Sequence, residues 1–285
     1  MQKADTTALR LALVARLRDE CAHDLAEKLE DCGQPVILCC LCCGSSKQVD
    51  TICKRKWCPS CQRLIAARRS SKFRNAVAAM EWPLFVTFTV RNSHDPESVK
   101  TVKKAFSKLR NRKFWKQCVR GGVSGLEVTN IGNGWHPHIH TVIDCKWLSL
   151  NVPAPTQWDS KSVVKAKCEA AHDELSAVWA DCVGDTMANV WVKRAHGSSI
   201  VQEVLKYSIK GSDLLDSKEP VAPLIRVLIE TRLVSSFGSL FGADLGQDEK
   251  HTPQPCDQCN EIGGWLPIGA IGNLDAWSTT KPWAS

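Results

Sequence analysis

Seven cysteines fall between residues 39 and 61, close to half of the fifteen in the chain. Cys58-Pro-Ser-Cys61 is a C-x2-C knuckle, and Cys39/Cys42 or Cys40/Cys43 offers a second one at the spacing of a tetrahedral zinc site. The alternative, a set of disulfides, needs an oxidising compartment. The apolar run from Leu9 to Leu17 is broken by arginines and does not resemble an export signal. These features favour a zinc-bound segment in a cytoplasmic protein.

Spacing alone does not decide which four cysteines bind, although Cys58 and Cys61 are the safest pair. A further knuckle, Cys256-x2-Cys259 with His251 nearby, is a half-site in the C-terminal region. For this half-site a turn with two incidental cysteines and metal binding are equally good interpretations.

The net charge of +7 is unevenly distributed. Residues 1–210 carry an excess of basic side chains, whereas residues 211–285 are acidic overall. Residues 51–80 and 98–126 contain eight and nine Lys/Arg and no acid, a distribution that suits a polyanion such as nucleic acid. The alternative is a solvated positive face. Candidate DNA contacts beside the cysteines are Lys54, Arg55, Lys56, Arg63, Arg68 and Arg69. Trp57 and Trp115, inside the basic stretches, are candidate surfaces for base stacking or else core residues.

The sharpest motif is His136-Pro-His138-Ile-His140. On a strand, a period of two places all three imidazoles on one face. Glu127, isolated between apolar neighbours on the preceding strand candidate, can face them across a hairpin. Two imidazoles and a carboxylate leave coordination positions open, as a catalytic metal requires. The alternative for Glu127 is an exposed strand residue.

Tyr207 is the single tyrosine of the chain. On a predicted helix over 198–210, Glu203, Tyr207 and Lys210 share one face at i, i+4 and i+7. A phenol, a carboxylate and an ammonium suit phosphoryl transfer. The alternative is a tyrosine on an exposed helix face.

Alternating patterns predict strands over 84–90, 122–130, 135–143 and 187–193, the middle two joined as a hairpin. Helical patterns cover 8–30, 63–80, 98–117, 161–182, 198–210 and 220–237, while 36–62 is predicted to be turn-rich and 239–285 poorly periodic. The short hairpin favours an α+β fold with an antiparallel sheet. The expected domains are an N-terminal helix (1–35), a zinc-binding and basic segment (36–80), a nuclease domain (81–215) and a C-terminal helix with an acidic tail (216–285).

These motifs, in this order, resemble the rolling-circle replication initiators of small plasmids and phages, within the HUH endonuclease superfamily. The segment from Cys53 to Cys61 is similar to the family's C-x4-C-x2-C element. Similar strand motifs are Phe85-Val-Thr-Phe-Thr89 and Gly125-Leu-Glu-Val-Thr129, the latter followed by Trp135-His-Pro-His-Ile-His140. Glu203-x3-Tyr207-x2-Lys210 is similar to the nucleophile helix.

The resemblance implies an HUH-type central antiparallel sheet flanked by helices, with an N-terminal zinc-ribbon-like element. It implies that His138 and His140 bind Mg²⁺ or Mn²⁺, with Glu127 or, in competition, His136 as third ligand. Tyr207 would form a 5′-phosphotyrosine and leave a 3′-OH primer. Glu203 would assist the second transfer, and Lys210 would position the phosphate.

The same resemblance implies a structural zinc ion on Cys53, Cys58 and Cys61. A fourth ligand is open among Cys40, Cys42 and Cys43, and Cys43 is favoured because Gly44 follows it. The implied partners are a nicking origin in single-stranded or melted DNA and, further, a host helicase and replication machinery, with no membrane. Alternatives are a zinc-dependent DNA-binding regulator, a single-tyrosine transposase or relaxase, and an RNA-binding protein.

Overall fold

A computed structural model of the chain describes residues 3–194, 199–205, 209–242, 255–262 and 264–270. The helices in these ranges are α1 Lys3–Asp19, α2 His23–Glu30, α3 Gln62–Ala78, α4 Ser98–Asn111, α5 Lys113–Cys118, α6 Lys161–Val183, α7 Ser199–Leu205, α8 Gly211–Asp216 and α9 Val221–Glu230. The strands are β1 Pro35–Cys40, β2 Ser46–Asp50, β3 Pro83–Thr89, β4 Gly121–Thr129, β5 His136–Asp144, β6 Asn189–Arg194, β7 Val234–Gly238 and β8 Trp265–Ala270.

A five-stranded antiparallel sheet in the order β6-β3-β5-β4-β7 forms the centre of the fold. The predicted hairpin is its middle, because β4 and β5 pair along their whole length. Helices cover the sheet. The α+β class with a central antiparallel sheet is therefore confirmed.

One face of the sheet is closed by a large aromatic core. Phe88 of β3 contacts the rings of Phe106, Trp115 and Trp179, at centroid distances of 5.5, 6.0 and 4.9 Å. These rings come from α4, α5 and α6, so these three helices lie behind the sheet. The β-branched and aromatic run of β3 is buried because it lies in the middle of the sheet, between β5 and β6.

The opposite face is covered over only part of its area. Phe85, Val123 and Val142 lie side by side in register and form a smaller core with residues of α3 and α7. Further along the same strands this face carries the histidines. The helices therefore leave one end of the sheet for a site.

A second, three-stranded sheet in the order β2-β1-β8 contains the cysteine-rich segment. Residues 36–62, predicted to be turn-rich, contain the β1–β2 hairpin instead. The strand β8, within the C-terminal region predicted to be poorly periodic, pairs antiparallel with β1. The prediction missed both because neither shows a strong alternation of apolar and polar residues.

Three predicted helices differ from the structure. The helix over 8–30 is two helices, broken where Cys21 has a left-handed φ of 56°. The helix over 220–237 ends at Glu230, and Val234–Gly238 instead extends the sheet beside β4. The helix over 198–210 is interrupted, because Ile209 forms a parallel bridge with Val128.

The four-domain division stays a prediction, although β7 and β8 each join sheets built from earlier segments. Within the described ranges, no helix has the length and apolarity needed to cross a membrane.

Candidate active site and zinc-binding elements

The three histidines of β5 lie on the face that the helices leave partly open. Strand pairing places His138 opposite Glu127 and Thr89, and His140 opposite Gly125 and Thr87. Residues directly opposite each other in an antiparallel pair share a face. The period-of-two prediction and the expected position of Glu127 across the hairpin therefore agree with the structure.

His140 and Glu127 form the buried centre of this face. The Nε2 atom of His140 lies 2.7 Å from Oε2 of Glu127, and both residues are at most 8% exposed. On the other side of the ring, Nδ1 lies 3.0 Å from the Thr87 hydroxyl. The imidazole is thus fixed through both nitrogens, as is typical of a histidine that must present one of them in a defined direction.

His138 and His136 lie further along β5. The Nε2 atom of His138 is 3.1 Å from the Thr129 hydroxyl. The His136 ring lies 4.1 Å from the His138 ring, and burial lowers the pKa of His136 below its ordinary value. Register places His138 between His136 and His140, so His136 is the outer member of the row.

The donor set of His138, His140 and Glu127 fits a divalent cation by its chemistry, since imidazole and carboxylate are common ligands of such ions. Within the described ranges, only cysteines form groups of three or more ligand atoms mutually within 4.8 Å. Binding of one ion by His138, His140 and Glu127 together therefore requires a side-chain rotation at one of them.

Helix α7 and Ile209 flank the histidine face. A Cβ atom on Gly125, which pairs with His140, would lie 1.9 Å from the Val204 carbonyl oxygen, so the α7 backbone rests directly on β4. Ile209 bridges Val128, next to Glu127. Tyr207 lies outside the described residues, between these two contacts in the sequence.

The other members of the expected nucleophile group are described. Glu203 is half-buried on α7, and Lys210 is exposed, in an extended conformation that precedes α8. Asp213 of α8 was not predicted as a site residue. Burial raises the pKa of its carboxyl, the Lys210 ammonium opposes this rise, and the like charge of Glu127 adds to it. A third carboxylate is therefore close to the Glu127 end of the site.

Cys53, Cys58 and Cys61 come together as predicted, and the fourth member of their group is Cys32. The Sγ–Sγ distances are 3.5 Å for Cys32–Cys61, 3.6 Å for Cys32–Cys58 and 3.7 Å for Cys53–Cys61. Four thiolates about 2.3 Å from a tetrahedral zinc ion are about 3.8 Å apart. The group therefore fits zinc. Cys43, the expected fourth ligand, lies in a separate group with Cys40, Cys256 and Cys259.

The electrostatics of the first group also suit a cation. The thiols of Cys32, Cys53 and Cys58 donate to Cys61 and hold its pKa well below its usual range. The pKa of Cys58 is raised far above its usual range by its three cysteine neighbours, Cys32 first, and by burial. Ionisation of Cys61 therefore disfavours ionisation of Cys58. A bound Zn²⁺ would offset the repulsion between the thiolates, so that they could be ionised together.

The basic residues proposed for DNA divide into two kinds. Lys54, Arg55, Arg63 and Arg68 are exposed. Lys56 is half-buried and its ammonium donates to the Thr231 carbonyl, while burial lowers the pKa of both Lys56 and Arg69. Trp57 and Trp115 are 1% and 3% exposed, so they are core residues and not stacking surfaces.

An aromatic and basic surface that the sequence did not single out adjoins the histidines. Trp191 of β6 pairs with Thr87, which pairs with His140, and it is 54% exposed. The Lys193 ammonium lies 4.9 Å from the centre of the Trp191 ring. The alternation of Asn189, Trp191 and Lys193 was the available signal, because it places polar and aromatic side chains on one face of a strand.

An antiparallel sheet with a row of histidines facing a glutamate, together with cysteine groups that could hold zinc, is the arrangement that the resemblance to rolling-circle initiators implies. The family model described as "Replication protein" matches residues 46–147, which include β3, β4 and β5. This match confirms the resemblance and supports assignment as a rolling-circle replication initiator. Comparison with curated proteins and with solved structures gives no significant match.

Proposed function

We propose that the protein starts rolling-circle replication by cutting one DNA strand with Tyr207. The phenol oxygen attacks the scissile phosphorus, a phosphorus–oxygen bond to Tyr207 forms, and the bond to the 3′ oxygen breaks. The phenol proton leaves, the departing 3′ oxygen takes up a proton, and the 5′ phosphate stays on the tyrosine. The free 3′-OH then primes synthesis.

The observation that carries this proposal is the position of the residues on either side of Tyr207. Leu205 ends α7, whose backbone rests on Gly125 opposite His140, and Ile209 bridges Val128 next to Glu127. Tyr207 is two residues from each of them. In the sequence, the single tyrosine of the chain therefore lies between two segments that contact the histidine strand pair.

His138, His140 and Glu127, with His136 as the competing third ligand, would hold Mg²⁺ or Mn²⁺. That ion would neutralise charge on the phosphate, which dominates the barrier of phosphoryl transfer. Thr87 keeps His140 oriented through Nδ1. Exclusion of water around the buried His140–Glu127 pair strengthens every charge interaction made there.

Reversal of the cut ends a replication round. We assign to Glu203 the activation of the second nucleophile, and to Lys210 the positioning of the phosphate. Asp213 interacts electrostatically with both Lys210 and Glu127, which supports a position for Lys210 near the Glu127 end of the site.

The cysteine element supports this site from outside. Gln62, the residue after Cys61, donates from Nε2 to the Ile209 carbonyl at 2.5 Å. A Cβ on Gly211 would contact the Pro59 ring at 3.1 Å, so the knuckle also packs on the start of α8. A zinc ion on Cys32, Cys53, Cys58 and Cys61 would therefore fix the segment that follows Tyr207.

The DNA path includes the exposed residues Lys54, Arg55, Arg63 and Arg68, with Lys56 and Arg69 in supporting positions. The scissile strand enters the site single-stranded or locally melted. Trp191 supplies a stacking surface next to the histidines. A host helicase would supply the melted strand, in the cytoplasm.

The test is cleavage of end-labelled single-stranded oligonucleotides tiled across the replicon that encodes the protein, with and without Mn²⁺. We expect metal-dependent cleavage at one site, and a protein-linked product whose mass places the nucleotide on Tyr207. Tyr207→Phe should abolish both while duplex binding stays intact.

Two outcomes separate the alternatives. Cleavage that survives Tyr207→Phe would refute the tyrosine mechanism. No cleavage of any oligonucleotide, with tight binding of one duplex that needs no Mg²⁺ or Mn²⁺, would instead establish a zinc-dependent regulator.

A further inference from the structure

The second cysteine group joins two segments that are far apart in the sequence. Cys40 and Cys43 lie at the tip of the β1–β2 hairpin, and Cys256 and Cys259 precede β8. The Sγ atoms of Cys40 and Cys259 are 3.8 Å apart, and those of Cys43 and Cys256 are 3.6 Å apart. Both values match the sulfur spacing of about 3.8 Å around tetrahedral zinc.

The two segments have the same backbone conformation. In the first, Gly44 N–H donates to the Cys40 carbonyl at 2.9 Å and Cys40 N–H donates to Ser45 at 2.8 Å. In the second, Asn260 N–H donates to the Cys256 carbonyl at 2.8 Å and Cys256 N–H donates to Glu261 at 3.0 Å.

The residue after each second cysteine is left-handed, with φ of 73° at Gly44 and 55° at Asn260. Asparagine and glycine are the residues that tolerate this conformation. Two such matching turns, each with a cysteine at both ends, form two halves of one tetrahedral site.

The neighbouring strands agree with this geometry. Cys40 pairs with Trp265, and the Lys47 ammonium lies 3.7 Å from the centre of the Trp265 ring. The hairpin tip after β1 and the segment that leads into β8 therefore lie side by side. Four cysteines in this arrangement, two at the hairpin tip and two in the segment before β8, are the closed ligand set of a structural zinc ion.

We propose that Cys40, Cys43, Cys256 and Cys259 bind a second structural Zn²⁺, which fastens the C-terminal strand β8 to the tip of the β1–β2 hairpin. The first cysteine group lies at the base of the same hairpin, since Cys32 precedes β1 and Cys53 follows β2. The hairpin is then held by a metal ion at each end. The second ion has no part in strand cleavage.

The test is the zinc content of the full-length protein, purified with a phosphine reductant and measured by inductively coupled plasma mass spectrometry. We expect two zinc ions per chain. The variant Cys256→Ser/Cys259→Ser should contain one. The matched control Cys39→Ser/Cys42→Ser alters two cysteines of the same hairpin that belong to neither group, and it should keep two.

A second readout is the stoichiometry of cobalt binding by the wild-type protein and the variant. Replacement of zinc by Co²⁺ should give the visible absorption of tetrahedral thiolate cobalt at two equivalents per chain, and at one equivalent in Cys256→Ser/Cys259→Ser. A single zinc ion in the wild-type protein would refute the proposal. So would unchanged zinc content in the Cys256→Ser/Cys259→Ser variant, or Cys40–Cys259 and Cys43–Cys256 disulfides in a peptide map.

Discussion

Substitution of Gly125 by alanine tests how the packing of helix α7, which precedes Tyr207, against β4 affects cleavage. The Cβ of Gly125→Ala would lie 1.9 Å from the Val204 carbonyl oxygen, whereas ordinary contacts begin at 3.4 Å. Helix α7 must therefore move by about 1.5 Å, or β4 must yield by the same amount. Overpacking of this kind costs about 1–3 kcal/mol of stability.

The effect on cleavage should exceed the effect on folding. Displacement of a reacting group by about 1 Å can reduce a rate about 100-fold, because the geometry of attack is lost. We expect Gly125→Ala to fold, to bind the origin oligonucleotide, and to cleave about 100-fold more slowly under single-turnover conditions. Quenched-flow sampling on denaturing gels, with a thermal unfolding curve for each variant, measures both quantities.

The matched control is Gly184→Ala at the end of α6. Gly184 has φ of 79° and no atom within 4 Å of an added Cβ, so this variant loses stability without displacing α7. The cost of the left-handed conformation is about 1–2 kcal/mol. Gly184→Ala should cleave at the wild-type rate. Wild-type cleavage by Gly125→Ala would refute the reasoning, whether or not its stability falls.

Two further substitutions test the DNA path and a buried charge. Trp191→Ala should weaken binding of single-stranded DNA by about 1–3 kcal/mol through lost stacking, whereas Trp158→Ala, at an exposed tryptophan outside the site, should not. Fluorescence anisotropy measures this, and equal affinities would contradict it. Burial and the like charge of Arg110 lower the pKa of Lys103 to about 8, so the folded state disfavours its charged form. Lys103→Met should therefore stabilise the fold at pH 7 by about 1–3 kcal/mol, since a tenfold change in an ionisation constant is worth about 1.4 kcal/mol.

The sign of the Lys103 effect follows from its pKa in the two states. The penalty begins as the pH falls below the unfolded pKa near 10.5 and is complete below the folded pKa of about 8. Urea midpoints should therefore show a larger gain for Lys103→Met at pH 7 than at pH 9.5. The control is Lys104→Met, which removes the exposed neighbouring lysine. A gain in stability for Lys103→Met that does not depend on pH would exclude the buried charge as its cause.

The parts of the site that obey a local period were predictable from the sequence. Three histidines at a period of two can share a face only on a strand, and the Asn-Ile-Gly-Asn-Gly turn that begins at Asn130 predicts the hairpin that brings Glu127 opposite them. Both β4 and β5 match their predicted ranges to within one residue at each end. Local pattern was sufficient here because the partner strand is the next one in the chain.

Features that depend on distant pairing were not predictable. Cys32 lies outside the dense cysteine run and 29 residues before Cys61, and closure of the β1–β2 hairpin brings the two together. The predicted helix over 198–210 does not continue to Ile209, because pairing of Ile209 with Val128 of β4 outweighs helical periodicity there. The residues of β7 fit a helix equally well by composition, and their position beside β4 decides their conformation.

The segment that follows Tyr207 takes its supports from the N-terminal part of the chain. Gln62 donates to the Ile209 carbonyl. The Arg16 guanidinium donates to the carbonyls of Leu215, Ser217 and Glu219, at 2.7, 2.8 and 2.8 Å.

Helix α9 is held from the same side. The Glu20 carboxylate accepts from the first backbone N–H groups of α9, at Val221 and Ala222. This arrangement satisfies donors that a helix leaves unpaired at its start and complements the helix dipole.

These supports give the N-terminal helices and the first cysteine group a specific mechanical role. In the proposed mechanism, cleavage and rejoining require that the tyrosine segment return to the same position after each transfer, while the DNA strand changes. A segment joined only to the sheet edge would rely on the single Ile209–Val128 bridge. Hydrogen bonds from Arg16 and Gln62 to backbone carbonyls fix it from a second side as well, and a zinc ion at Cys61 would keep Gln62 in place. In the proposed mechanism, the N-terminal part of the chain would therefore position the segment that follows Tyr207 as well as contact DNA.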